Sequence, residues 1–156
     1  MSDSFFDKYE NSLLNFVAGI AVIMFIMFGA GVLCPLLILL AQQFVGEFTP
    51  KEFGTLFLVC IIVMTLCIVV PNILIVRGKP FAAKINLWNI YFQLVCYSLL
   101  LLVFKHEFKW LFLSFVSFPL LAYWLMQTTK YNAFVGFYEA LSKDPVGFRE
   151  KLMERR

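Results

Sequence analysis

The groups able to do chemistry in this 156-residue chain are amides rather than ions. Asn86, Asn89, Gln93 and Tyr97 recur at i, i+3, i+7 and i+11. On a helix turning 100° per residue they fall within about 80° of one another and form a single stripe. The surrounding sequence is apolar, so each amide has to find a partner where water is scarce. Neutral amides donate and accept hydrogen bonds without exchanging protons, which restricts them to three roles. They can tie helices together, they can form a vestibule for a headgroup, small ligand or partner segment, or they can line a pore shared by several copies. Asn15 and Asn72, with Gln127, Thr128 and Thr129, fall at the same predicted level, so a polar cluster of Asn15, Asn72, Asn86, Asn89, Gln93 and Tyr97 is expected.

Other chemistry is poorly supplied. There is no nucleophile turn of the form Gly-x-Ser-x-Gly, no His-Glu-x-x-His, no phosphate-cradling glycine loop and no paired carboxylates. The single histidine, His106, lies between Lys105 and Glu107 in a predicted loop and reads as a solvated side chain. Cys34, Cys60, Cys67 and Cys96 contain no C-x-x-C pair and fall within apolar stretches, where they serve as small apolar filler. No enzyme, metal or cofactor is therefore expected.

The elements that position these amides follow from where charge is missing. The chain is 62% hydrophobic and only 15% charged, against about a quarter charged in a soluble domain. Residues 11–46, 53–76, 85–104 and 110–129 carry no charged side chain, so all 23 charges fall in the remaining 56 residues. Since about 20 apolar residues cross a bilayer as a helix, the pattern predicts an all-α integral membrane protein with four transmembrane helices. The spans are placed at about 13–41, 53–76, 85–104 and 110–129. They form a bundle over residues 1–129, with an amphipathic helical tail over 130–156. The start Met1-Ser2-Asp3-Ser4 lacks the basic region of a cleavable signal, so the first span is expected to be retained.

Span one measures about 43 Å as a helix, longer than the hydrocarbon core, and Gly29, Gly31 and Pro35 mark its expected bend. Thr49-Pro50-Lys51-Glu52 has the form of a capping box and starts span two. Pro119 is expected to kink span four near its middle. Trp88, Trp110, Tyr123, Trp124 and Tyr131 are placed in interfacial belts.

Orientation follows from basic residues. Ten lie on one side (Lys8, Arg77, Lys79, Lys84, Lys130, Lys143, Arg149, Lys151, Arg155, Arg156) and three on the other (Lys51, Lys105, Lys109). Both termini are thus expected in the cytoplasm and the chain in a bacterial-type inner membrane. The net charge of +3 answers anionic headgroups, with Arg77, Lys79 and Lys84 as candidate contacts, and implies no nucleic-acid partner. In the tail, Phe134, Phe137, Tyr138 and Leu141 form a helical stripe. Asp144-Pro145 starts a second short helix containing Phe148. The stripe either rests in the interface or docks a membrane or cytoplasmic protein.

The function expected from all this is binding of a partner. The chain would be an accessory subunit of a membrane complex, or an immunity protein guarding against a membrane-active toxin. The alternative is a homo-oligomeric channel or membrane-disrupting effector lined by the span-three stripe. No Gly-x-x-x-Gly motif supports close-packed dimers; the nearest spacings are Ala30 with Cys34 and Gly136 with Ala140.

Overall fold

The computed structural model describes residues 13–103 and 109–147. Within them the chain is all-helical, in the order α1 (Leu13–Val45), α2 (Pro50–Val76), α3 (Ala82–Val103), α4 (Lys109–Ser114), α5 (Ser117–Met126) and α6 (Thr129–Lys143). Three of these, α1, α2 and α3, are long and apolar enough to cross a membrane. The expected outer loop with His106, the first twelve residues and Phe148 lie outside the described residues.

Local chemistry sets most boundaries. Helix α1 runs unbroken for 33 residues through Gly29, Gly31 and Pro35, a length of about 50 Å. It extends past the expected end at Ala41 and stops at Gly46, whose φ of 105° and N–H to the Gln42 carbonyl (3.0 Å) close the last turn. The capping box of α2 is formed as its sequence suggests: the Thr49 N–H donates to Glu52 Oε2 at 2.9 Å and the Glu52 N–H to Thr49 Oγ1 at 3.3 Å. Both backbone and hydroxyl donors from Thr49 hold the Glu52 carboxyl below the usual carboxylate range. At its other end α2 closes in a Schellman motif. Lys79 N–H donates to the Leu74 carbonyl and Gly78 N–H to that of Ile75, with Gly78 at φ 76°.

The expected fourth span is two short helices. Pro119 supplies no N–H and its ring excludes the carbonyl four residues earlier, so the break falls at residues 115–116 rather than at the proline itself. The Phe118 N–H bonds instead to the Phe115 carbonyl at 3.1 Å, and Pro119 sits in the tolerant first turn of α5.

Helix α1 is the centre of the bundle, packed by α2, α3, α5 and α6. Val22, Ile26 and Ala30 of α1 meet Ile68 and Ile75 of α2, Ile90 of α3, Ala122 and Met126 of α5, and Tyr131 and Phe134 of α6. A second cluster of Leu33, Leu36, Cys96, Tyr97 and Leu100 joins α1 to α3. Tyr131 is therefore a core residue, 2% exposed, not part of an interfacial belt. Trp88, Trp110 and Trp124 remain outward. Helix α2 contributes buried side chains only from its second half, Ile68, Pro71 and Ile75.

Candidate functional site

The amide stripe of α3 faces inward, onto α1 and α2. Asn72, which donates to the Ile68 carbonyl of its own helix at 2.6 Å, accepts from Asn86 Nδ2 at 3.0 Å. One turn on, Asn89 Nδ2 reaches the Cys67 carbonyl at 3.4 Å. Gln93 Nε2 spends both of its hydrogens, one on Asn89 Oδ1 (3.0 Å) and one on the Ile26 carbonyl of α1 (3.2 Å). A further turn along, the Tyr97 hydroxyl donates to the Gly29 carbonyl at 3.0 Å. Four side chains of one helix thus grip two neighbours over three turns.

Gly29 permits the grip. A Cβ at Gly29 would collide with Gln93 Oε1 and lie 3.0 Å from Pro119 Cδ, so α1, α3 and α5 approach one another only because that position has no side chain. Gln93 Oε1, like Asn86 Oδ1 and the Tyr131 hydroxyl, is buried without a formed hydrogen bond. Burial pushes the Tyr131 hydroxyl pKa up, and the Asn86 amide beside it works in the opposite direction.

Not every expected member belongs to this cluster. Asn15 lies apart, lining a crevice of about 400 Å³ with Phe16, Ala133, Phe137 and Tyr138 where α1 meets α6. Helix α1 instead contributes through the backbone carbonyls of Ile26 and Gly29, for which sequence carries no signal. Gly29 was legible only as a small residue suited to a bend, and Tyr131 only as an interfacial aromatic. Asn86 and Gln93 are fully buried and Tyr97 is 1% exposed, all enclosed within a single chain.

The tail stripe is turned onto the bundle. Phe134 is buried with its ring flat over Gly19, where a Cβ would stand 2.7 Å from the ring carbons, and its centroid is 6.3 Å from that of Phe16. Phe137, Tyr138 and Leu141 are half-buried, with Tyr138 edge-on to Phe134 at 5.1 Å. Ser142 and the Tyr138 carbonyl crowd Gly78, so α6 also leans on the turn between α2 and α3. Beyond α6, residues 145–147 are helical and Asp144 Oδ1 accepts the Gly147 N–H at 3.0 Å.

Arg77, Lys79 and Lys84 are exposed around that turn. Among the described residues the one ion pair is Lys143 with Glu139, at 2.6 Å, so the three cations have no carboxylate partner there. No grouping of three His, Cys, Asp or Glu that would hold a metal occurs among the described residues.

Sequence carries no sign of a groove between α2 and α3. Beside α2 and α3 lies an open groove of about 790 Å³, whose α2 wall runs from Val59 to Pro71. Val59, Val63, Leu66, Cys67 and Val70 form one wall, Ile85, Trp88 and Phe92 the other, and Cys34 and Leu37 the floor. Asn89 is the one amide in the lining, and both ends of it are engaged, by Cys67 and Gln93. No known protein family, curated protein or solved structure matches the chain, so what it does rests on these features alone.

Proposed function

We propose that the protein is a non-enzymatic membrane protein that acts by binding another membrane component. It would serve as an accessory subunit of an inner-membrane assembly or as a guard against a membrane-active toxin. In this reading α4 and α5 together make a fourth crossing. The 18 residues 109–126 carry one charged residue, Lys109, at their outer end, and span about 27 Å if helical throughout, close to the hydrocarbon thickness. Both termini lie in the cytoplasm by the ten-to-three asymmetry of basic residues. Helix α6 then covers the cytoplasmic end of the bundle.

The observation that carries the proposal is the groove between α2 and α3. It has the volume of a ligand site and a nearly wholly apolar lining. The amide network supports the same reading: Asn89 ties α3 to the Cys67 carbonyl of α2 within the groove, and Asn86 binds Asn72 at its inner end, so the two walls are held together there. The amides then act as scaffold, and the contact with the partner is made by apolar packing.

Filling the groove tests this. Val63 is 53% exposed on its wall, so Val63→Trp occupies the space without displacing core. Native mass spectrometry of the protein extracted from its own membrane in nanodiscs is expected to find a stoichiometric second component with the wild-type chain and to lose it with Val63→Trp. A bound component indifferent to Val63→Trp, or none in either sample, would refute groove binding.

A further inference from the structure

We infer that the component held in the α2–α3 groove is a phospholipid with an anionic headgroup, one acyl chain lying along the groove and its phosphate at the basic turn; this rests on the groove being the binding site. Three observations point to such an occupant. The lining offers no unengaged amide, so recognition along its length is by apolar contact alone. The lining follows α2 from Val59 to Pro71, about 18 Å of helix rise, close to the depth of one leaflet of the ~30 Å hydrocarbon core. That is the length of one acyl chain.

The third observation is charge. Lys84 directly precedes Ile85 in the groove wall and stands one turn before Trp88, whose ring is 73% exposed at the rim. Lys79 and Arg77 follow around the same turn, and no described carboxylate pairs with any of the three. An aromatic rim beside cations marks the level at which a headgroup phosphate sits. The same charges argue against a second copy. A parallel pair joined at this groove would bring two sets of Arg77, Lys79 and Lys84 to one level, where no described carboxylate pairs with them.

The test is retention of lipid by the full chain taken from vesicles of equal phosphatidylglycerol and phosphatidylcholine, read by native mass spectrometry. One phosphatidylglycerol is expected per chain. Lys79→Gln with Lys84→Gln should cut its retention about tenfold or more relative to phosphatidylcholine. Val63→Trp, or Leu66→Trp as a second filling variant, should remove both lipids. Circular dichroism melting run on each variant confirms that the bundle is intact. Equal retention of the two lipids, abolished by the tryptophans, overturns the headgroup assignment and leaves groove binding standing. A dimer abolished by the tryptophans likewise overturns the lipid and keeps the groove. Lipid retention unaffected by either tryptophan overturns both.

Discussion

At Gln93 a single amide joins three helices, because its two N–H groups go to α1 and to Asn89, which in turn holds the Cys67 carbonyl of α2. Replacement by leucine keeps the volume and removes both donors. Interhelical hydrogen bonds in membranes average about 0.6 kcal/mol and reach about 1.7, so Gln93→Leu is expected to destabilise by an amount within that range in a reversible unfolding titration in mixed micelles. The glycines give a sharper contrast. Gly29→Ala drives a methyl into Gln93 and Pro119, and overpacking of this kind costs about 1–3 kcal/mol. Gly31→Ala, two residues away with nothing within 4 Å, is expected to change stability by less than about 0.5 kcal/mol. Equal effects of the two substitutions would remove the close approach of α1, α3 and α5 from the account. The stripe Asn86, Asn89, Gln93 and Tyr97 was legible from spacing because polar side chains stand out in apolar sequence. Their acceptors were not, since a backbone carbonyl looks the same at every residue.

Among the elements, those with capping chemistry were readable and those without it were not. Thr49, Pro50 and Glu52 mark the start of α2, because caps use particular side chains at fixed offsets. Which face of α1 and α2 packs inward was hidden, whereas the amide stripe marked that of α3. Both are apolar around their whole circumference, one side meeting neighbours and the other hydrocarbon, so no periodicity separates them. The groove was invisible for the same reason, and the break in the expected fourth span was displaced from Pro119 by the four-residue reach of its ring.

Removing the cap with Thr49→Ala should cost about 1 kcal/mol in the same titration. The Glu52 carboxyl titrates lower in the folded chain than in the unfolded one, so its contribution is full above the unfolded value of about 4.3 and is lost as pH falls through the depressed folded value. Glu52→Gln should flatten that acid limb of a stability–pH profile. For α6, Gly19→Leu puts a side chain where the Phe134 ring lies and should lift the helix from α1. Limited trypsin digestion is the readout, with cleavage at Lys130 expected to accelerate. An unchanged digestion rate would mean that α6 is held elsewhere.

For the whole molecule, composition pointed to an all-α membrane protein with four spans; the described residues are all-helical and hold three helices long and apolar enough to cross a membrane. The proposed topology is tested by a reporter on the C-terminus. A fluorescent protein fused after Arg156 should mature in the cytoplasm, and alkaline phosphatase at the same position should stay inactive. The reverse pattern would invert the assignment of the basic turn and with it the leaflet from which a lipid reaches the groove.

The central place of α1 has a consequence for how the chain is made. The helix it packs against most extensively is α5, yet the positions that meet, Gly29 and Pro119, are ninety residues apart along the chain. At about 5–20 residues per second, the ribosome takes on the order of 5–20 s to supply α5 after α1 has entered the membrane. Throughout that interval the surface of α1 around Gly29 that later receives Pro119 stays uncovered. Insertion chaperones and membrane proteases therefore meet an unfinished α1 before its own partner exists. A chain stalled before residue 117 would carry that mark of incompleteness for as long as it survives.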